Sequence, residues 1–147
     1  MRAYKVYAIG NGTVIDHIPS GCALKVYEIL RLNEYDHIVT IGMNLESKKM
    51  VRKDILKIEN KTLSKDELNK IAVVAPNATI NIIRNQQISE KFGVEVPDVI
   101  EKIIKCPNPK CITRNQHVET KFYKMADKPI EVKCHYCERV FAEFGLN

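Results

Sequence analysis

The sequence predicts an α+β fold with two domains, a ferredoxin-like β-α-β-β-α-β domain over residues 1–97 and a small all-β domain over residues 98–147. Two observations predict this division. Apolar residues in the first part alternate between strand-like runs and stretches with helical spacing. Four of the five cysteines, in contrast, lie in the last third of the chain, where large aliphatic residues are few. Pro97 discourages a continuing strand, so we place the boundary near it.

The elements of the first domain follow from the spacing of apolar residues. Residues 23–30 carry them at i, i+3, i+4 and i+7, which predicts one face of a helix. A second helix follows the capping box Ser64-x-x-Glu67 and ends at Pro76. The runs that predict strands are residues 4–9, 14–18, 38–43, 50–58 and 79–83, with residues 87–92 as a candidate extra strand.

This order of elements places both helices on one face of an antiparallel sheet and leaves the other face free for a ligand or a partner. Residues 38–43 form a continuous apolar, largely β-branched run, which predicts a strand buried on both faces. Asn11-Gly12 predicts a turn. In the second domain we expect short strands around the cysteines, at residues 117–123, 130–133 and 140–144.

The cysteines of the second domain form two close pairs, Cys106-x4-Cys111 and Cys134-x2-Cys137. Four thiolates with this spacing can enclose one tetrahedral ion, and zinc is the ion most often held that way. Because sulfur fills every coordination position, such a zinc is structural, one per chain, and leaves no place for water or substrate. Two disulfides and an iron or iron–sulfur site are the alternatives. The chain begins on strand-like residues rather than a secretion signal, so we expect a cytoplasmic protein with reduced thiols.

Composition and charge bound the kind of partner. With 45% hydrophobic and 28% charged residues, the chain is expected to pack into a globular protein, and its apolar runs are too short for a membrane span. A net charge of +5 favours an anionic partner, although a dedicated nucleic-acid binder is usually more basic. The sequence contains no Gly-rich phosphate loop and no HExxH motif, so it offers no signature of a nucleotide hydrolase or a metalloprotease.

Some polar residues in predicted strands could bind such an anion. Lys53 and Lys57 share one strand face with Ile55, where two ammonium groups can meet a polyanion; the alternative is a solvated edge strand that uses lysine to block aggregation. Asn81 stands between two isoleucines and faces away from them. It could hydrogen-bond a base or a sugar, or simply be exposed.

Asp16 and His17 are neighbours in sequence. On a regular strand their side chains would point to opposite faces, so we expect that they do not act as one acid–base pair. A solvated turn with an ordinary histidine is the simpler interpretation of this pair. The sequence pattern alone does not decide between a solvated turn and a functional role for Asp16 and His17.

Longer runs of residues stand in a characteristic order along nearly the whole chain. They are GTVIDHIP at 12–19, RKDxxKIEN at 52–60, LS at 63–64, APxATxN at 75–81, CPNxxCI at 106–112 and CxYCE at 134–138. Together they closely resemble the regulatory chain of aspartate carbamoyltransferase. Any one run alone would be a weak signal, whereas all of them in order are specific.

The resemblance implies a subunit that is not itself catalytic. Its first domain would bind nucleoside triphosphates, with CTP as feedback inhibitor and ATP as opposing effector, and would pair with a second copy as a homodimer. Its zinc domain would dock on the catalytic chain, which makes carbamoyl aspartate at the first committed step of pyrimidine biosynthesis. In the well-known holoenzymes, three regulatory dimers bridge two catalytic trimers.

The resemblance also implies which positions bind the nucleotide. They are Val6, Ala8, Ile9, Asp16, His17, Lys53, Lys57, Asn81, Ile83, Ile88 and Lys91. Val6, Ala8 and Ile9 would meet the base. Asn81, Ile83 and Ile88 would line the far wall of the pocket. Asp16 would accept hydrogen bonds from ribose hydroxyls, with Lys57 near base and ribose. His17 and Lys91 would meet the phosphates. Tyr7 and Gln86 depart from a well-studied bacterial member, so the sign of each effector response is not implied.

The alternative function is a zinc-ribbon nucleic-acid-binding protein. Its basic surface would consist of Lys121, Lys124, Lys128 and Lys133. Phe122 or Tyr123 would stack on bases. These lysines alternate with acidic and apolar residues, a pattern more typical of a solvated ribbon. The resemblance therefore predicts nucleoside triphosphates and a catalytic chain as partners, with neither nucleic acid nor a membrane.

Overall fold

The computed structural model describes residues 9–147. The chain divides into two compact units, Met1–Glu95 and Val96–Asn147. The strand predicted over residues 4–9, and with it Val6 and Ala8, lies outside the described residues except for Ile9, which is buried and not part of a strand. Within residues 9–147, no helix has the length and apolar character that crossing a membrane requires.

The described part of the first unit, residues 9–95, contains a five-stranded antiparallel sheet and two helices. Its elements are β1 (Gly12–Pro19), α1 (Ala23–Ile29), a 3₁₀ turn (Leu32–Glu34), β2 (Val39–Ser47), β3 (Val51–Glu59), α2 (Lys65–Val74), β4 (Thr79–Arg84) and β5 (Gln87–Gly93). The strand order is β2-β3-β1-β4-β5. The first four strands have the arrangement of a ferredoxin-like sheet, and β5 is the extra strand. The predicted α+β fold is confirmed.

The core of this unit lies on the helix side of the sheet. Ile15 of β1 pairs in register with Leu56 of β3 and Ile80 of β4, and all three side chains are fully buried. Val26 of α1 and Ile71 of α2 join the same cluster. Burial of each such side chain contributes roughly 1.5–3 kcal/mol. Because strand residues alternate, the residues between these core positions point to the other face of the sheet.

Helix α2 begins as the sequence predicts. The Ser64 hydroxyl accepts a hydrogen bond from the Glu67 N–H at 3.2 Å, and the Glu67 carboxylate accepts one from the Ser64 N–H at 3.0 Å. This reciprocal pair satisfies two N–H groups that a helix start leaves without partners.

Two expectations about the sheet are wrong. The run at residues 38–43 is not buried on both faces, because Ile38 and Met43 are exposed and β2 is the edge of the sheet that residues 9–147 form. The turn predicted at Asn11-Gly12 ends one residue early, since Gly12 already pairs with Glu59 and Ile83 as the first residue of β1. Gly12 has φ +141°, and a side chain there would collide with the backbone carbonyl of Ile58.

The second unit contains short strands and one helical turn. Its elements are β6 (Val99–Glu101), β7 (Ile104–Lys105), α3 (Ile112–Asn115), β8 (Lys121–Asp127), β9 (Ile130–Cys134), β10 (Val140–Phe141) and β11 (Gly145–Leu146). Four strands form a sheet in the order β10-β9-β8-β6, and β11 pairs with β7.

The strand predicted over residues 117–123 begins only at Lys121. The preceding residues are bonded otherwise: the Val118 N–H donates to the Gln116 carbonyl at 2.9 Å, next to a turn that is bound to the first cysteine pair. The Asn115 side-chain amide donates to the carbonyls of Cys111 and Pro109, at 2.9 and 3.2 Å. Local hydrogen bonds of this kind compete with strand pairing, which explains the shorter β8.

Candidate functional site

The four cysteines of the second unit converge on one point. Their Sγ atoms all lie within 4.8 Å of one another, with 3.7 Å between Cys106 and Cys137 and 3.8 Å between Cys111 and Cys134. Four sulfurs at about 2.3 Å from a central zinc would stand about 3.8 Å apart, as the edges of a tetrahedron. A disulfide needs about 2.05 Å, so the disulfide alternative is wrong, and all four cysteines are free.

The elements around the cysteines hold the sulfurs in place. Cys106 follows β7, Cys111 precedes α3, Cys134 ends β9, and Cys137 lies in the turn beyond it. Backbone bonds close each pair into a knuckle, Cys111 N–H to Asn108 C=O at 3.0 Å and Glu138 N–H to Cys134 C=O at 3.0 Å.

Side chains next to the cysteines bind the same groups. The Thr113 hydroxyl donates to the Cys111 sulfur at 3.2 Å, and the Arg114 guanidinium donates to the Cys106 carbonyl at 2.8 Å. Such surrounding bonds orient metal ligands.

The electrostatics of this cluster favour a bound cation. Burial raises the pKa of the Cys106 and Cys134 thiols. Burial also works to raise the pKa of Cys137, but hydrogen bonds from the Arg139 N–H and the Asn108 side chain lower it to about 7. Since metal ligation requires thiolates, a divalent ion would supply the charge that these buried sulfurs need. The residues fit a structural metal site.

The first unit presents a row of polar residues on the sheet face away from the core. Val14 of β1 pairs in register with Lys57 of β3 and Asn81 of β4, and Asn81 pairs with Lys91 of β5. Residues directly opposite each other in antiparallel strands share a face. We call this side of the sheet the polar face. Lys57 and Lys91 lie three strand spacings apart on it, or about 14 Å.

Asn81 stands at the middle of this row. Its side chain is only 7% exposed, and its Oδ1 atom has no hydrogen-bond partner among the described residues. A buried carbonyl oxygen without a partner is costly, and such atoms are rare in folded proteins. Asn81 Oδ1 is therefore a buried acceptor that no described residue satisfies, on the strand position paired with Lys91. The prediction that Asn81 faces away from its neighbouring isoleucines is confirmed by the pairing, whereas simple exposure is excluded by its burial.

Asp16 and His17 lie on the polar face together, contrary to expectation. The register of β1 against β3 shifts between Ile15 and Ile18, and His17 has φ +58°, so a bulge breaks the alternation of side chains. The His17 Nδ1 atom lies 3.0 Å from the Thr79 hydroxyl, and Thr79 is the register partner of Asp16. The backbone N–H of His17 donates to the Asp16 carboxylate at 2.6 Å.

Lysines surround this bulge. The Lys53 ammonium pairs with the Asp16 carboxylate at 2.9 Å, and each side chain is about one-fifth exposed (19% and 18%). Lys53 and Lys57 belong to β3, which lies between two strands, so the edge-strand alternative is wrong for both. Burial is the main cause that lowers the pKa of the Lys57 ammonium.

The charge around His17 shows how closely the cations gather. Burial lowers the pKa of His17, Asp16 raises it, and the ammonium groups of Lys53, Lys49 and Lys91 each lower it further. Four basic side chains therefore act on one small region of the polar face. Lys49 was not predicted as a site residue, although the Lys48-Lys49 pair between two predicted strands was a signal that could have indicated it.

The polar face becomes apolar toward the other end of β1. Ile83 pairs with Gly12 of β1 and with Ile88 of β5, and Ile88 is exposed. Along the strands the face thus passes from aliphatic residues, through Asn81 and Lys57, to the cluster at His17. An elongated ligand with an apolar ring at one end and anionic groups at the other matches this gradient.

The nucleic-acid alternative loses its main contacts in the second unit. Phe122 is fully buried and cannot stack on a base. Lys124 is bound to the Asp98 carboxylate at 3.4 Å and to the Val96 carbonyl at 3.2 Å. Lys121 lies over the ring of Tyr123, whose hydroxyl is hydrogen-bonded to His135.

Comparison with known proteins covers both units. Residues 4–95 match the allosteric domain of the aspartate carbamoyltransferase regulatory chain, and residues 98–145 match its metal-binding domain. The regulatory chain of Pyrococcus abyssi is 57% identical over 145 residues, which cover 97% of this chain and 95% of that protein. Those of Thermococcus sibiricus and Methanopyrus kandleri are 54% and 48% identical, over 97% and 96% of this chain and 95% and 92% of theirs.

This chain belongs to the aspartate carbamoyltransferase regulatory chain family. The prediction of a regulatory, non-catalytic subunit is thereby confirmed, and the catalytic chain is the partner that this membership implies. In this regulatory chain, the polar face lies in the allosteric domain and the four-cysteine cluster in the metal-binding domain.

The structure brings together most of the positions that the sequence indicated on this regulatory chain. Asp16 and His17 form the bulge, Lys53 and Lys91 lie close to it, and Lys57 and Asn81 belong to the same row as Lys91. Ile83 and Ile88 form the aliphatic end, and Ile9 is buried outside the strands.

Proposed function

We propose that this regulatory chain binds CTP and ATP at one site on the polar face and transmits their presence to the catalytic chain. The base would lie at the aliphatic end near Ile83 and Ile88, and the ribose near Asp16 and Lys57. The triphosphate would lie among His17, Lys53 and Lys91, with Val6, Ala8 and Ile9 closing the base end. A triphosphate carries up to about four negative charges, which the basic cluster can neutralise.

The observation that carries this proposal is the Oδ1 of Asn81, which has no partner among the described residues, in a row with Lys91 and Lys57 and beside a cluster of four basic side chains. We infer that this buried acceptor is the polar anchor of the site, because no described residue bonds to it. Base or ribose donors would satisfy the oxygen, and phosphates would satisfy the cations. The match of residues 4–95 to the family's allosteric domain supports the same proposal.

We further propose that the four cysteines hold one structural zinc, which keeps the docking domain folded. Allosteric control then follows from differential affinity, because an effector shifts the assembled enzyme only as far as it binds one state better than the other. Couplings of about 1–3 kcal/mol are typical for such systems. Two regulatory chains would pair through their allosteric domains, which sedimentation of the purified chain would test.

The proposal is tested by titration of CTP, ATP and CMP into the full chain. Lys91→Gln should weaken CTP binding about tenfold, the loss expected for one charge-assisted phosphate contact, with a smaller effect on CMP. Lys70→Gln is the matched control, since Lys70 lies on α2 and pairs with Asp66. No saturable binding of either triphosphate by the wild-type chain, alone or with its catalytic partner, would contradict the proposed site.

A further inference from the structure

Asp54 is a fully buried carboxylate to which the proposed function gives no role. It lies on β3, and its side chain points to the helix side of the sheet. Its Oδ2 atom accepts hydrogen bonds from the N–H groups of Gly21 and Ala23, at 2.8 and 3.1 Å, and its Oδ1 atom from that of Asn44, at 3.0 Å. Three backbone dipoles thus replace water around a buried carboxylate.

Two β-bulges meet at this part of β3. On one side, residues 16–17 of β1 stand opposite Ile55 alone, because Ile15 pairs with Leu56 and Ile18 with Asp54. On the other side, residues 43–44 of β2 stand opposite Asp54 alone, because Gly42 pairs with Ile55 and Leu45 with Lys53. Bulges bend a strand and redirect its side chains, so their positions set where the polar groups of this region lie.

Each bulge contains a residue with left-handed backbone conformation, His17 with φ +58° and Asn44 with φ +59°. Residues other than glycine adopt this conformation at a cost, so the surrounding contacts must hold it. Asp54 binds the Asn44 N–H directly, and it binds the turn that follows the His17 bulge through Gly21. The Ser20 hydroxyl also donates to the Asn44 side chain, which joins the two bulged strands across β3.

We propose that Asp54 is a positioning residue for the triphosphate end of the effector site. It clamps both bulges from the core side and thereby fixes His17 and the adjacent Lys53 at the spacing that the phosphates require. The position of Lys53 depends on both bulged strands, because Lys53 pairs in register with Leu45 of β2 and Pro19 of β1. Its ammonium also forms the ion pair with Asp16. This inference rests on the proposed function, since Asp54 would support the residues that contact the phosphates without touching the nucleotide itself.

The test compares CTP with CMP, which share base and ribose and differ at the phosphate end. Asp54→Asn replaces one acceptor oxygen with a donor amide, so either the Asn44 N–H loses its partner or the Gly21 and Ala23 N–H groups lose theirs. CTP affinity of the full chain should fall about tenfold, whereas CMP affinity should change less than about twofold. Asp66→Asn is the control: it removes the same charge at an exposed position on α2 and should leave both affinities unchanged.

The outcomes separate the two claims. Equal losses for CTP and CMP, or an unchanged CTP affinity in folded Asp54→Asn, would overturn the positioning role while the effector site stands. Failure of the wild-type chain to bind either nucleotide would overturn the proposed function and this inference together.

If Asp54→Asn does not fold, the wild-type chain supplies the measurement. The amide resonances of Gly21 and Asn44 in the full chain should shift with CTP and stay in place with CMP. Shifts at His17 without any at these two amides would overturn the clamp.

Discussion

Asn81 is the residue at which the cost to stability and the proposed role in binding can be told apart. Its oxygen is buried without a partner in residues 9–147, which costs folding free energy, and its side chain belongs to the polar face. A side chain chosen for stability alone would be apolar at this position, as Val14 is beside it. In the proposed site, a nucleotide donor would complete the hydrogen bonds of this amide.

Asn81→Ala should accordingly separate the two properties. We expect the free energy of unfolding to stay constant or rise by up to about 1 kcal/mol, because an unsatisfied buried oxygen is removed. The affinity for CTP should fall about tenfold, since the ligand loses an acceptor. Denaturant titration and calorimetry measure the two effects. The control is Thr40→Ala, at the β2 end of the same row, which should leave the affinity for CTP unchanged. A matched loss of stability and CTP affinity in Asn81→Ala would contradict this account.

His17 should make effector binding depend on pH. Its pKa in the free chain is lowered by burial, with further lowering by Lys53, Lys49 and Lys91 and an opposite effect of Asp16. A bound triphosphate would raise that pKa, so the complex holds more protons than the free chain. By linkage, CTP affinity should increase as the pH falls through the interval between the bound and the free pKa.

Calorimetric titrations with CTP at about pH 6 and about pH 8 would measure this dependence. His17→Gln should lose the part of it that the imidazole causes, whereas the part due to the terminal phosphate itself remains. His37→Gln is a control of the same kind at an exposed position. An identical pH dependence in wild type and His17→Gln would exclude His17 from the phosphate end.

For individual residues, the sequence predicted the strand face of some site side chains but not that of Asp16 and His17. Lys53, Lys57 and Asn81 lie in regular strand segments, where alternation alone decides the face, so their placement on one side could be derived. The joint position of Asp16 and His17 could not, because it depends on a bulge that contains a histidine with positive φ. Residues other than glycine adopt that conformation in only a few per cent of cases, and the sequence pattern of β1 does not indicate it here.

Among the elements, helix α2 depends on its first turn. Burial works to raise the pKa of Glu67, but hydrogen bonds from the Ser64 N–H and the Lys61 ammonium outweigh it and lower the pKa below 4.5. A lowered pKa means that the carboxylate stabilises the fold above its unfolded pKa and loses this contribution as the pH falls through the folded value. Ser64→Ala removes the other half of the box and should cost about 1 kcal/mol.

Glu67→Gln isolates the charge, because glutamine can still accept the Ser64 N–H bond. We expect it to be less stable than wild type at neutral pH, with a difference that shrinks as the pH falls below 4.5. Denaturant unfolding at several pH values measures the difference, in which acid effects elsewhere in the chain cancel. A difference that stays constant down to acid pH would show that the Lys61 and Ser64 contacts do not favour the ionised form.

The elements that could be predicted are those with a local cause. The helices follow from apolar spacing and caps, and β1, β3 and β4 from alternation of apolar residues. Residues 38–43 have the composition of a central strand yet form an edge, because strand order is decided by pairing and not by composition. Residues 117–120 are β-prone but remain irregular, since Asn115 holds the preceding turn against the cysteine knuckle.

For the molecule as a whole, the two units differ in what keeps them folded. The first has an extended apolar core between sheet and helices. In the second, large buried side chains are few, chiefly Ile100, Ile104, Phe122 and Val132, together with buried cysteines. Domains of about 50 residues rarely bury enough apolar surface to fold without a metal or disulfides. Zinc in comparable small modules contributes about 10–16 kcal/mol of apparent binding free energy to folding.

Removal of the metal should therefore unfold the second unit and spare the first. After treatment of the full chain with a mercurial or a strong chelator, the amide resonances of residues 99–134 should lose their dispersion, and binding to the catalytic chain should be lost. CTP affinity should change less than about twofold, because the polar face belongs to the unit that does not need the ion.

Cys134→Ser should reproduce the metal-free state, whereas Cys22→Ser should not, since Cys22 lies at the start of α1 and outside the cluster. Dispersed resonances across the second unit in a sample shown by elemental analysis to be metal-free would refute the structural role of zinc. Loss of CTP binding in that same sample would show instead that the allosteric domain depends on its neighbour for stability, contrary to its self-contained core.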